Sequence, residues 1–482
     1  MSWKVYQNMP DNYTDNPLAG FKQYRDANAA RGNAANGSPY PPYITADDLV
    51  SPLLKGISNT MPDQGFLQAL RDDVAAGNLP QVSWIVAPAT YSEHPGPSSP
   101  VQGAWYTQEV LDALTANPAV WSKTVLIINF DENDGFFDHV PPPCAPAYEN
   151  GVLAGASTVA TDGEYHIDQK PYGPGPRVPM YVVSPWSRGG WVNSQVFDHT
   201  SVLRFLEARF GVAETNVTTF RRAVAGDLTS AFNFVNPNSA ALPVLPSRDK
   251  TTADAIRAAQ GALAQVPLPS TTAQQLPRQD KGTRPSRALP YELHVSARED
   301  AAGRVAWLLF SNTGKQAAVF HVYDRLHLDR VPRRYLVEPG KELNGSWDVF
   351  ASDSGKYDLW VLGPNGFHRA FSGDVSAVTA AYASAPEIRV CYDIANAAVY
   401  LTLINTGSAA CTFTVQPNAY RTDGPWTYEI PAGRQLEQHW PVGRQGNWYD
   451  FTVSTAQGGF TRRFAGRLET GADSVSDPAM GT

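Results

Sequence analysis

The sequence predicts an α/β region followed by two all-β sandwich domains. Three observations carry that prediction. Short uncharged runs rich in β-branched residues alternate with amphipathic helical stretches through the first half of the chain. A Pro/Ser/Thr-rich interval then breaks the pattern, and beyond it one β-patterned unit is written twice, 93 residues apart. An uncharged β-branched run fits a strand buried on both faces, as in a parallel sheet with helices on either side. Strands alternating with helices build βαβ units whose loops share one edge.

In chain order, Met1 to Asn12 has no basic region followed by an apolar segment and does not read as a signal peptide. Asp11 to Pro42 is rich in Asn, Gly, Pro and Tyr, with one modest helical piece over Leu18–Asn28. Thr60 to Ala76 carries apolar residues at helical spacing, ended by Gly77–Asn78. Gln81 to Pro88 predicts a buried strand leading into the Tyr91–Ser99 loop, and Gly103 to Ala116 an amphipathic helix. The central run, Thr124 to Phe130, is uncharged until Asp131, where it gives way to Glu132, Asn133, Asp134, Gly135 and then Asp138 and His139. Val178 to Ser184 is a third buried strand, followed by SPWSRGGW. Phe197–Glu207 opens a helix with Asp198 or Thr200 as N-cap and Leu203, Phe205 and Leu206 inside.

These segments set the expected domains. Residues 1–235 form the α/β region, 236–287 a linker or wrapping arm with one short helix over Asp254–Ala264, 288–376 and 383–470 the two sandwiches, and 471–482 a tail. In the repeat, Leu308–Tyr323 aligns with Leu401–Gln416, and Tyr357–Gly373 with Tyr449–Gly466. Alternating strands broken by Asn-Thr-Gly and Asn-Gly turns, in units of roughly 80 to 100 residues, fit small antiparallel sandwiches.

Composition narrows the function. With 482 residues there is room for several domains, and a net charge of −8 without a Lys/Arg-rich run argues against nucleic-acid binding. No apolar run is long enough to span a bilayer. The 3 Cys are Cys144, Cys391 and Cys411, with no zinc-like spacing; Cys391 and Cys411 either pair within the last domain or stay as free thiols.

Candidate functional residues lie at the carboxyl ends of the strands, where open α/β sheets place their ligands. Asp131 and Glu132 either bind a hard cation through oxygen, with His139 nearby as proton donor or phosphate ligand, or belong to a polar turn in which Gly135 supplies a positive φ. An EF-hand is set aside because Gly135 falls one place early and the twelfth position is Pro142. His94 follows a buried strand, where Glu93 could orient its ring. Arg188 could reach a phosphate, and His199 stands at a helix start where free amides favour an anion. Trp105, Trp186 and Trp191 could help form an aromatic box for a quaternary ammonium, though core packing suits each Trp taken singly.

YSEHPG (Tyr91–Gly96), FDENDGFFDHVPPP (Phe130–Pro143), RVPMYVVSPWSRGGWV (Arg177–Val192) and FDHTSVLRFLE (Phe197–Glu207), in that order, resemble the bacterial phosphoesterase family. That family includes phosphocholine-preferring phospholipases C of the non-haemolytic type and a related acid phosphatase. The paired sandwiches resemble the duplicated carboxyl-terminal domains of the phospholipases, which makes the acid phosphatase the weaker alternative. A non-catalytic lipid-surface or structural binding protein is the alternative from another class. The resemblance implies a partial alkaline-phosphatase-like, doubly wound sheet and a hydrolase cleaving phosphatidylcholine-like lipids to diacylglycerol and phosphocholine. It implies a divalent metal ion on Asp131 and Glu132, His94, His139 and His199 as catalytic groups, and Arg188 and Trp191 as substrate-binding groups. It also implies a phospholipid substrate at a membrane surface and a secreted or periplasmic location. In the family the nucleophile and a Glu-Asn metal pair come from a segment like ENRSFDHYFG, which is absent from this sequence. The expectation is therefore a catalytic domain missing its amino-terminal half, a partner if encoded separately.

Overall fold

The computed structural model describes residues 1–12, 14–33, 38–236, 244–275, 279–379, 383–456 and 459–480. It is a mixed α/β region followed by a large β-rich region. By compactness the chain divides into one unit of Met1–Phe136, Met180–Arg188 and Asn236–Gln275, and another of Phe137–Pro179, Gly189–Val235 and Leu276–Thr482.

In the first unit, β1 (Trp3–Tyr6) pairs in parallel with β2 (Val82–Ile85). Between them lie α1 (Lys22–Ala30) and α2 (Gln68–Ala75). The helix α2 is shorter than the Thr60–Ala76 periodicity suggests. Gln64, Gly65 and Leu67 take positive φ values of 63°, 82° and 72°, so the chain turns before it can coil. The Asp63 carboxylate then caps the first amide, accepting from Gln68 at 3.0 Å. Helix α3 (Pro100–Thr115) starts on Pro100, whose missing N–H costs nothing at that position. Its buried face of Trp105, Tyr106, Val110, Ala113 and Leu114 packs on Tyr6, Met61, Leu70, Val74 and Tyr91.

The central run becomes β3 (Leu126–Asn129), which pairs with β4 (Met180–Val183). The expected parallel relation does not hold here: the ladder is antiparallel, with Leu126 opposite Val183 and Asn129 opposite Met180. Nor is β3 buried on both faces, since Leu126–Ile128 are half-buried and Asn129 is exposed. An apolar run specifies a strand but not the direction of its neighbour. Of the 236–287 interval, residues 244–275 belong to this unit. Its helix runs over Lys250–Gln260, capped by Asp249, and Asp254 accepts a hydrogen bond from Gln102 of α3 at 2.9 Å.

In the second unit the two sandwiches share one sheet. Among the described residues nine strands form it, and it passes from the first repeat to the second where His368–Asp374 pairs with Thr461–Arg467. Each repeat adds a three-stranded sheet of its own, and one continuous apolar core fills both. The repeat is exact in its turns. The Asn312 amide donates to the carbonyls of Gln316 and Val337 at 2.8 and 2.9 Å, and Asn405 does the same to Ala409 and Ile430 at 2.8 and 3.0 Å. The three cysteines are unpaired.

Where the sheet crosses between repeats, two arginines are fully buried. Arg462 donates to Glu387 at 2.8 and 2.9 Å and to the Tyr357 hydroxyl at 2.8 Å; Arg369 donates to the hydroxyls of Tyr392 and Tyr449 at 2.7 and 3.0 Å. A strand from the middle of the chain, Gly155–Ser157, completes the shared sheet by pairing with Arg333–Val337. Helix Thr219–Val224 lays Phe220 and Val224 on Val319 and Leu336. Residues 137–179 and 189–235 therefore group with the sandwiches and not with the rest of the expected 1–235 region.

Candidate active site

Within the first unit the loops after β2 and β3, with the loop after β1, form one acidic neighbourhood around His94. The loop after β1 is tied down from inside. The side-chain amides of Asn12 and Asn16 both donate to Gln7 Oε1, at 3.1 and 2.9 Å, and Asn16 also reaches the Gly56 carbonyl at 2.7 Å. That clamp places Asp15 in the field of Asp131 and His94. Burial raises the Asp15 carboxyl above its usual range; Asp131 pushes it further, and His94 pulls it back. Burial likewise raises Glu93, with Asp134 adding to the effect.

After β2, Glu93 takes a φ of 69° and its amide donates to the Ser98 hydroxyl at 3.0 Å. His94 Nδ1 lies 2.8 Å from the Pro95 carbonyl. A carbonyl only accepts, so Nδ1 carries a proton, and proton exchange falls to Nε2. Pro95, not the expected Glu93, sets this tautomer. The Glu93 side chain instead fills the space a Cβ on Gly103 would need, its Cγ 2.1 Å from that position.

After β3, the Glu132 amide donates to Asp131 Oδ1 at 3.0 Å, and both side chains are exposed. Asp134 and Gly135 follow with φ of 52° and 77°, and the Phe136 amide closes on the Asn133 carbonyl at 2.9 Å. Two left-handed central residues make a tight turn of the kind that Asp-Gly favours. The turn reading and the functional reading thus divide the loop between them: Asn133–Phe136 is the turn, and Asp131 and Glu132 project before it.

The remaining candidates are placed differently. Arg188, half-buried, leaves the β3–β4 ladder at the end opposite Asp131, because the antiparallel register sets Val183 beside Leu126. Trp105 is a core residue, its ring 4.8 Å from that of Tyr91, so it forms no part of an aromatic box. In the second unit, His139 is exposed and meets Phe137 edge-on at 5.2 Å. Asp138 is held by Arg177 through Nε, a terminal nitrogen and the backbone amide at 2.9, 2.8 and 2.8 Å, which keeps it well below the usual carboxylate range. His199 is exposed at the start of helix Thr200–Phe210, where Asp198 already accepts from the Thr200 amide at 2.8 Å. The Arg287 guanidinium stands 4.2 Å over the Trp191 ring, on a face a choline would need.

Sequence reasoning passed over Asp15 and Asp134. Asp134 stands in the same polar run as Asp131, while Asp15 has no local signal and enters the site only through the Gln7 clamp. For a divalent ion, the donors fit in kind but not in number. Asp131 and Glu132 offer carboxylate oxygen, yet a hard cation takes six or more ligands, and the described residues hold no group of three His, Cys, Asp or Glu side chains arranged for a metal.

The model of the Phosphoesterase family matches residues 1–213, and that of the bacterial phospholipase C, C-terminal domain, matches 285–374 and 386–467. The chain is 51% identical to "Non-hemolytic phospholipase C" of Pseudomonas aeruginosa, covering all of this chain and 66% of that protein. It is 45% identical to "Non-hemolytic phospholipase C" of Burkholderia pseudomallei, over all of this chain and 68% of the relative. The chain belongs to the phosphoesterase family. A third family member, "Hemolytic phospholipase C" of Pseudomonas aeruginosa, is 39% identical across 99% of this chain and 65% of its own length. The chain thus spans about two thirds of the length of these curated relatives. Among the described residues no helix is long and apolar enough to cross a membrane.

Proposed function

We propose that the chain acts as a secreted phospholipase C-type phosphodiesterase on phosphatidylcholine-like lipids, yielding diacylglycerol and phosphocholine. The observation that supports this most is the pairing of an oriented His94 with the acidic set of Asp15, Asp131 and Asp134 at the ends of β1 and β3. In this reading the glycerol-oxygen-to-phosphorus bond breaks, and His94, once protonated on Nε2, delivers that proton to the departing oxygen. Water supplies the oxygen that replaces it, and the proton this water loses restores the one His94 gave up. The surrounding carboxylates favour a cation, either the choline ammonium or a divalent ion held at Asp131 and Glu132. Arg188, in the same unit as His94, has the chemistry for a phosphate contact; His139, His199 and Trp191, in the second unit, each have the chemistry to meet a phosphate or a cationic headgroup, and Trp191 would first have to release Arg287.

The test is hydrolysis of p-nitrophenylphosphorylcholine by the purified chain and by His94→Gln. Loss of a positioned acid or base costs about 10²- to 10⁴-fold, so the variant is expected to fall at least about 100-fold. Wild-type turnover by His94→Gln contradicts the role given to His94. No turnover by folded wild type favours the non-catalytic lipid-surface reading.

A further inference from the structure

The two sandwich repeats differ at one loop in a way their fold does not require. In the first repeat, residues 325–332 (RLHLDRVP) connect strands Ala318–Asp324 and Arg333–Val337. Leu326, Leu328 and Val331 of this loop are 46%, 68% and 36% exposed. Arg325, His327 and Arg330 are tied to acids of the scaffold, while the two arginine side chains remain 43% and 46% exposed. Arg325 pairs with Asp358 at 3.1 Å, Arg330 with Asp324 at 3.0 Å, and His327 with Asp353 at 2.7 Å. The loop is also braced through its backbone, the His327 amide donating to the Asp324 carbonyl at 3.0 Å and the Arg330 amide to the His327 carbonyl at 3.1 Å. A loop that pairs its arginines and histidine within the scaffold and leaves two leucines and a valine exposed beside them departs from the usual preference of large aliphatic side chains for the interior.

The second repeat shows what the fold alone asks of this position. Pro332 and Gly340 recur as Pro425 and Gly433 at the 93-residue offset, so the loop has the same length. Leu326, Leu328 and Val331 correspond to Ala419, Arg421 and Gly424. Arg421 there pairs with Asp423 at 2.7 Å. The apolar tip is a property of one copy and not of the sandwich.

We propose that the 325–332 loop inserts its apolar tip into a zwitterionic lipid surface, seating the first sandwich on the membrane. Leu326, Leu328 and Val331 would enter the acyl boundary, while Trp360 and the Arg325 guanidinium stacked 4.3 Å over it would lie at headgroup level. The charge balance selects the lipid. Arg325, Arg330 and Arg333 stand against Asp324, Asp329, Asp353 and Asp358, and each pairing described above is internal. No surplus of positive charge remains to draw anionic lipid, so apolar burial must supply the binding. The inference deepens the lipid-surface part of the proposed function, but its test needs no catalysis.

The test is flotation of the full chain with phosphatidylcholine vesicles, with and without added anionic lipid, comparing wild type with Leu326→Asp/Leu328→Asp. The variant is expected to lose at least about tenfold in partitioning, with an unchanged thermal midpoint because both side chains are exposed. Wild-type binding is expected to vary less than about twofold when salt is raised enough to screen surface charges. Equal partitioning by variant and wild type, or wild-type binding that requires anionic lipid and disappears with salt, overturns the proposal. Hydrolysis of the soluble choline ester by the same variant should equal that of wild type. A failure of the hydrolase reading shows there, and a failure of the insertion loop shows in the flotation.

Discussion

Asp131 and Asp138 stand in one run, FDENDGFFDH, yet their surroundings are opposite. Asp131 is exposed and shares its neighbourhood with Asp15, a carboxyl pushed upward by burial and by Asp131 itself. Asp138 is gripped by Arg177 on both oxygens and held down. The contrast extends to the two units. At the strand ends of the first, Asp15, Glu93, Asp131 and Asp134 gather around His94; at the sheet crossover of the second, Arg462 meets Glu387 and tyrosine hydroxyls accept from Arg369. Uncompensated charge that a fold maintains at strand ends is a mark of function, while saturated charge is a mark of architecture.

That distinction can be broken first where saturation is deepest. Arg462→Ala leaves Glu387 and Glu299 buried without their counter-charge, and removing one partner of a buried pair costs about 3–5 kcal/mol. Denaturant unfolding should show a loss of that size, and a loss below about 1 kcal/mol would mean that water replaces the guanidinium and the junction is not saturated.

A smaller effect is expected from pH. His321 is buried in the shared sheet and pushed down to about 3, chiefly by burial with Arg334 adding to it. Its folded form stays neutral where the unfolded chain takes up a proton. Stability is therefore complete above the ordinary value of 6.5 and is lost as the pH falls from there toward about 3. His321→Leu should flatten that decline, gaining about 2 kcal/mol relative to wild type between neutral pH and pH ~4. An unchanged slope in thermal unfolding across this window would show that His321 does not titrate.

Smaller still is Asp138→Asn. Because Arg177 is largely exposed, the ion pair is screened, and about 1 kcal/mol is expected. A loss of several kcal/mol would place Asp138 among the buried pairs instead.

Much of the architecture could be read from residue patterns alone. The tandem sandwiches follow from the 93-residue repeat, and the buried Asn312 and Asn405 show why Asn-Thr-Gly recurs: each asparagine stitches a turn to a neighbouring strand. The strands Val82–Ile85, Leu126–Asn129 and Met180–Val183 all fall inside runs recognised by composition. The direction of the last pair could not be read, because an apolar run encodes burial and not orientation. Nor could the shared sheet, which depends on the meeting of His368–Asp374 with Thr461–Arg467. At the site, His94 and Asp131 are legible as polar residues ending apolar strands. Asp15 is not, because a distant asparagine-to-Gln7 clamp brings it there. Trp191 looked like a ligand residue because nothing local reveals that Arg287 covers its ring.

The most direct measurement sets Asp131→Asn beside Asp138→Asn, reading p-nitrophenylphosphorylcholine hydrolysis and unfolding free energy on the same preparations. The account predicts that Asp131→Asn keeps its stability within about 0.5 kcal/mol, as exposed sites do, and loses turnover. It predicts that Asp138→Asn loses stability and keeps its turnover. Full turnover by Asp131→Asn, or abolished turnover in a well-folded Asp138→Asn, would contradict the division of one motif into a reactive carboxylate and a structural one.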